Sequence, residues 1–143
     1  MELREISMEN FLECIKLSVS DMQKGFVASN MFSLAEAKAD GVSVPLAIYD
    51  GDTMVGFIMY DYDEKERTGW ISRLMVDQRY QGRGHGRWAM MEVIGRLREI
   101  EGIKIMRTSF APENSAARKL YTSLGFKLTG EQIDGEDVCI MEI

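Results

Sequence analysis

Proline, cysteine and histidine are all scarce in this chain, and no long hydrophobic run occurs in it. The two prolines, Pro45 and Pro112, sit at apparent element edges. Without a Pro/Gly/Ser-rich linker, a repeat or a low-complexity tract, the 143 residues are expected to form a single domain over 1–143, large enough to bury a core. The two cysteines, Cys14 and Cys139, match no metal-ligand spacing and are expected to be reduced core thiols. His85 is the only histidine, so neither a Ser-His-acid triad nor a multi-histidine metal site can readily be built, and no metal is expected. No stretch approaches the roughly 18 apolar residues of a membrane span. The opening "MELREISMEN" carries acids and lacks the apolar core of a signal peptide. The expectation is a cytoplasmic protein without membrane contact.

Positive charge is also in deficit. Seventeen basic against 23 acidic residues give a net charge of −6, and no basic run appears. A phosphate-backbone binder needs a basic face, so nucleic acid is not an expected partner. An acidic surface favours a cationic small molecule, or is simply a solvated face.

What the chain does have is a cluster of glycines. "YQGRGHGRW", Tyr80 to Trp88, places Gly82, Gly84 and Gly86 with Arg83 and Arg87 just ahead of a helical pattern. In that pattern Met90, Val93, Ile94, Leu97 and Ile100 recur at helical spacing up to Gly102. Upstream, "LREI" reads as a strand, and Phe11, Leu12, Ile15 and Leu17 mark a first helix. Ser33 and Glu36, in capping-box spacing, mark the start of a second. "VPLAIYD" and "TMVGFIMYDYD", joined by Asp50-Gly51-Asp52, and then "GWISRLMVD" read as an antiparallel meander. Downstream come a strand in "IKIMRTSF", a helix carrying Ala117, Leu120, Tyr121 and Leu124 on one face, and closing strands in "FKLTG" and "DVCIMEI". The expected order is βααβββαβαββ, an α/β (α+β) fold with a mixed, mostly antiparallel sheet and helices on both faces.

A helix N-terminus offers free N–H groups and about half a positive charge, and glycines let an anion approach the backbone closely. Arg83 and Arg87 can add charge-assisted hydrogen bonds, so the loop reads as a phosphate cradle. Gly84, Gly86 and Ala89 fit G-x-G-x-x-A, but no acid ends the following strand to hold a ribose, and antiparallel strands precede the loop. A Walker A loop is excluded because no Gly-Lys-Ser/Thr follows. A tight turn with no ligand remains the plain alternative.

The stretch "LMVDQRYQGRGHGRWAM" resembles the acetyl-CoA loop of the GNAT family of N-acetyltransferases, Gln/Arg-x-x-Gly-x-Gly/Ala, through Gln81, Gly84 and Gly86. A second family signature, Asn…Ala…Leu-Tyr…Gly-Phe, is matched by Asn114, Ala117, Leu120, Tyr121, Gly125 and Phe126. The two lie in the family's order, and the element order of the whole chain agrees with its fold. The resemblance implies acetyl-CoA as co-substrate. It implies cofactor contacts from Leu74, Met75 and Val76, from Gln81, Gly82, Arg83, Gly84, His85, Gly86 and Arg87, and from Asn114. Tyr121 would be the general acid toward the leaving thiolate. On spacing alone Tyr121 is a core residue and Asn114 a helix cap. His85 is expected to contribute its backbone only.

"LSVSDMQKGFVASNMFSLAEA", Leu17 to Ala37, resembles the bacterial spermine/spermidine acetyltransferases more particularly. This implies a polyamine acceptor, with Asp21, Glu36, Asp61 and Trp70 as candidate contacts beside Asp63, Glu64, Tyr60 and Tyr62. Carboxylates and aromatic faces are what ammonium groups require. Other amine acceptors (an aminoglycoside, an amino acid, a protein N-terminus) and a non-catalytic acyl-CoA-binding module stay open, as does a homodimer. The base that would deprotonate the amine is not visible in the sequence.

Overall fold

The two-residue turn Gly51-Asp52 sets the centre of the fold. Gly51 takes φ +61°, which a hairpin this tight requires, and Asp50 faces Thr53 across it. The computed structural model describes Met1–Ile143. It contains, in order, β1 (Glu2–Glu5), α1 (Phe11–Lys16), α2 (Asn30–Asp40), β2 (Val44–Asp50), β3 (Thr53–Asp63), β4 (Thr68–Val76), α3 (His85–Glu99), β5 (Ile105–Phe110), α4 (Ser115–Ser123), β6 (Lys127–Ile133) and β7 (Glu136–Glu142). The expected order βααβββαβαββ is thus observed. The seven strands form one sheet in the order β1-β2-β3-β4-β5-β7-β6. Only β4 and β5 are parallel, as the crossover through α3 demands.

The uninterrupted apolar runs of β2 and β3 follow from burial on both faces. On one face, Met90, Val93, Ile94 and Leu97 of α3 pack with Ile48, Ile58, Ile71 and Met106 in the larger core cluster. On the other, Cys14 of α1, Leu17 and Ala37 of α2 pack with Ala47, Phe57, Met59 and Met75. Both cysteines are buried free thiols, as expected. No helix is long and apolar enough to cross a membrane.

Three local expectations are corrected. Helix α2 begins at Asn30, because Ser29 rather than Ser33 is its cap: Ser29 Oγ accepts the Phe32 N–H at 3.1 Å. Asn30 then anchors the first turn by donating to the Cys14 carbonyl at 2.9 Å, and Ser33 is buried inside the helix. In α1 the inward residue is Cys14, while Leu12 is exposed. Helix α3 ends at Glu99 with Ile100 extended, so Gly102 (φ +90°) turns the chain toward β5 rather than closing the helix.

The feature that positions a site is where pairing stops. Strands β4 and β5 are in register only from Thr68–Ile71 and Ile105–Thr108. Beyond this, β4 runs on to Val76 while β5 turns away after Phe110, which opens a wedge in the sheet.

Candidate active site

The wedge is a cavity of about 660 Å³. Its walls are β4 from Ile71 to Val76, the end of β5, the glycine loop, α4, the loop after α1 (Phe26, Val27, Ala28) and the β6–β7 turn. On the β5 side, β4 has no strand partner after Ile71, so Ser72 to Val76 present backbone groups to the cavity. Leu74, Met75 and Val76 all line it, and Met75 also belongs to the second core cluster.

Asp77 fixes the strand-to-loop junction. Its Oδ1 accepts from the Arg79 N–H at 3.0 Å and from Arg79 Nε at 2.8 Å, and its Oδ2 accepts from the Ser18 N–H at 2.9 Å. Burial disfavours the charged form, but these hydrogen bonds and the Arg79 charge prevail, and the carboxyl is held below its ordinary pKa. Gln81 extends the junction by donating to the Val76 carbonyl and to Gln23 Oε1, both at 2.9 Å. Its side chain therefore shapes the loop.

Gly82 (φ +78°) and Gly84 (φ +84°) take left-handed conformations that admit the turn into α3. Gly84 is the N-cap of this 15-residue helix and no side chain caps it, so the first-turn N–H groups open toward the cavity that Gly82, Gly84, His85, Gly86 and Arg87 line. An uncapped helix start at a cavity is an anion site in form. The arginines sit differently. Arg87 donates to Ser123 Oγ at 2.7 Å, and the Arg83 guanidinium lies 5.9 Å from the Tyr80 ring centroid. The His85 side chain is buried, with Nε2 3.9 Å from Asp50 Oδ2.

At the inner end stands Tyr121, buried on α4 with its ring 5.9 Å from Phe110 and 6.1 Å from Phe126. Burial drives the phenol well above its ordinary pKa; a hydrogen bond with Thr108 works in the opposite sense, and nearby Cys139 and Glu136 add to the rise. It therefore remains a protonated donor across the physiological range. Asn114 Oδ1 accepts the Ala117 N–H at 3.1 Å, capping α4, and the residue lines the same cavity.

The four residues named for the acceptor lie elsewhere. None of Asp21, Glu36, Asp61 and Trp70 lines the cavity. Asp21 is on the surface, paired with Lys24 at 3.0 Å. Glu36 accepts from the cavity-lining Arg73 at 3.2 Å. Asp61, Trp70 and Arg107 are successive partners in one row across β3, β4 and β5, on the face that also carries Ser109. Partial burial raises the Asp61 pKa, and Asp40, Glu36 and Asp63 raise it further. The acids that do line the cavity, Asp134 and Glu136, were missed. Their signal was present as Asp134-Gly135, whose φ values of +51° and +80° form a tight hairpin turn with Ile133 facing Glu136. Glu136 Oε1 accepts from Ser109 Oγ at 2.7 Å.

A split parallel pair, an uncapped glycine-led helix and a buried phenol in one cavity define an acyl-group transferase in outline. The chain belongs to the acetyltransferase (GNAT) family, whose model matches residues 2–126. It is 31% identical to a spermine/spermidine N(1)-acetyltransferase of Bacillus subtilis (strain 168), over 100% of this chain and 99% of that protein. Among the solved structures that share the fold are two bound to coenzyme A. A spermidine N-acetyltransferase from Vibrio cholerae, in complex with CoA and spermine, superposes with a TM-score of 0.75 at 18% identity, covering 99% of this chain and 94% of that one. The PaiA N-acetyltransferase from Thermoplasma acidophilum, in complex with coenzyme A, gives 0.74 at 17% identity, covering 99% and 98%.

Proposed function

We propose that this acetyltransferase moves the acetyl group of acetyl-CoA to a primary amine of a polyamine such as spermidine or spermine, by direct attack of the amine on the thioester. The observation that carries this is that one cavity is lined both by the uncapped start of α3 and by Tyr121. The site fits an extended, anionic thioester. Backbone N–H groups from Gly82 to Arg87 hold the pyrophosphate, with Gly84 and Gly86 allowing close approach. The unpaired edge of β4 at Leu74, Met75 and Val76 pairs with the amide-bearing arm, as an added strand would. Asn114 supports that arm from α4. When bound, acetyl-CoA supplies an activated acetyl carbon and a thiolate leaving group, and Tyr121 protonates the sulfur.

Three observations support a cationic acceptor: the net charge of −6, two acids at the cavity wall, and the name of the Bacillus relative. Asp61, with no basic partner, lies one row beyond Ser109, where the far end of a long polyamine would reach, and Glu36 is near enough to raise its pKa. Trp70 beside it already carries the Arg107 guanidinium, 5.6 Å from its ring centroid, and has no part in this reading. Asp21 has no part in this reading. Cys14 and Cys139 as buried thiols suit the cytoplasm.

The experiment is acetyl transfer from acetyl-CoA to spermidine, followed by free-thiol release at increasing salt. The Debye length shortens from about 10 Å at 0.1 M to about 3 Å at 1 M, so KM for spermidine should climb while KM for a monoamine changes less. Absence of turnover with spermidine and spermine, with efficient turnover of a neutral or anionic amine, would overturn the polyamine assignment.

A further inference from the structure

The acceptor nitrogen arrives as an ammonium, with a pKa of about 10, and must lose a proton before it can attack. The family motifs matched in this chain include no residue for that task. The start of β7, held against the end of β5, supplies one.

Thr108 and Ser109 are consecutive on β5 and so point to opposite faces of the sheet. Thr108 lines the cavity together with Tyr121, and Ser109 donates to Glu136 Oε1 at 2.7 Å. Both Tyr121 and Glu136 line the wedge, where the two faces communicate because β4 and β5 have parted. The end of β5 therefore fixes a carboxylate in the cavity that the Tyr121 phenol of α4 also lines. Glu136 is close enough that its charge contributes to the upward shift of the Tyr121 phenol.

Of the acids near it on β6 and β7, Glu131 is paired with Arg107 and Asp137 with Arg118. Glu136 has no lysine or arginine within ion-pair distance, although it is only partly exposed and Oε1 is already oriented by Ser109. A half-buried carboxylate in a cavity, oriented but without a cation, is a receptor for one.

We propose that Glu136, held by Ser109, is the catalytic residue that binds the reacting ammonium of the acceptor and takes its proton. This rests on the acetyl-transfer reading above. The proton balance closes as follows. Glu136 accepts the first proton of the ammonium and passes it to solvent. The amine nitrogen then forms the C–N bond as the C–S bond breaks. The second proton leaves the nitrogen, and Tyr121 gives its own proton to the departing sulfur; the proton shed by nitrogen restores Tyr121. One proton is released per turnover, as the conversion of an ammonium into an amide requires.

The test compares Glu136→Gln, Glu136→Asp, Ser109→Ala and wild type by three readouts: steady-state kinetics, calorimetric titration of spermidine into the protein without acetyl-CoA, and calorimetric titration of acetyl-CoA. Glutamine is isosteric and still accepts from Ser109, so the hairpin should keep its packing. Glu136→Gln should lower kcat by about 10²- to 10⁴-fold, the usual range for a positioned base. It should weaken spermidine binding at least tenfold, about 1.4 kcal/mol or more, and leave acetyl-CoA affinity within about threefold, under about 0.7 kcal/mol. Glu136→Asp should recover part of kcat, and Ser109→Ala should lower kcat less than the glutamine variant. Wild-type kcat and spermidine affinity in a folded Glu136→Gln variant would overturn the assignment while leaving the acetyl-transfer reading intact. An equal loss of acetyl-CoA affinity would overturn it too, by making Glu136 a structural residue. Failure of the wild type itself to acetylate spermidine is the separate outcome that removes the polyamine reading.

Discussion

Gly86→Ala separates ligand approach from backbone strain. Gly86 lies inside α3, and a Cβ built there stands 3.7 Å from Val76 Cγ2 and 3.8 Å from both Leu120 Cδ2 and Leu74 Cδ2. These are ordinary van der Waals contacts, so the methyl fits the free protein without displacing anything. Alanine also favours a helix over glycine by up to about 1 kcal/mol, less near a terminus. The variant should therefore melt at the wild-type temperature or up to about 3 °C higher. The methyl nevertheless fills the gap between β4 and α4 that Gly86 leaves open to the cavity. Acetyl-CoA should then bind about 10- to 100-fold more weakly, equivalent to about 1.4–2.8 kcal/mol. Gly84→Ala is the companion. Its Cβ meets nothing within 4 Å, but φ is +84°, so the protein should lose about 1–2 kcal/mol from strain alone. Only Gly84→Ala should thus lower the melting temperature, while both variants weaken the ligand. Calorimetric titration of acetyl-CoA, paired with scanning calorimetry, reads both quantities. Wild-type affinity in Gly86→Ala would refute the claim that this glycine faces the ligand's path.

Two further outcomes follow from side chains already placed. Tyr121→Phe removes the hydroxyl but keeps the ring against Phe110 and Phe126, so kcat should fall by about 10²- to 10⁴-fold with acetyl-CoA affinity near normal; an unchanged kcat, with chemistry rate-limiting, would return the residue to a packing role. Asp77 has a folded-state pKa below its unfolded value, so its contribution to stability is present above the unfolded pKa, near 3.9, and disappears as pH falls through the lower folded value. Asp77→Asn should accordingly lower the melting temperature at pH 7 and narrow its gap from wild type as the solution is acidified below about pH 4; a gap independent of pH would argue against an ionised Asp77.

Much of this architecture was legible because single residues carried unambiguous local physics. Gly51 announced the β2–β3 hairpin, and Met90, Val93, Ile94 and Leu97 announced the buried face of α3; all four of these are almost fully buried. The start of α2 was misread because Ser29 and Ser33 are equally good caps in isolation, and the choice is made by Asn30 docking on Cys14, a contact 16 residues away. The candidate site divides in the same way. Gly82, Gly84, Gly86, Asn114 and Tyr121 stand in short motifs, and they do converge on one cavity. Glu136 and Ser109 are 27 positions apart and meet only because β7 inserts between β5 and β6, a strand order no local pattern encodes. Net acidity pointed toward a cationic ligand but could not select among 23 acids. Asp21 was chosen from a stretch that resembles a subgroup, whereas its side chain is solvated and paired with Lys24.

A crystal structure of the protein with coenzyme A bound would test the central claim most directly. The account predicts the pyrophosphate on the N–H groups from Gly82 to Arg87, the arm along β4 between Leu74 and Val76, and the sulfur within about 3.5 Å of the Tyr121 hydroxyl. Coenzyme A seated outside the wedge, or a sulfur directed away from Tyr121 with the pyrophosphate off the start of α3, would contradict it.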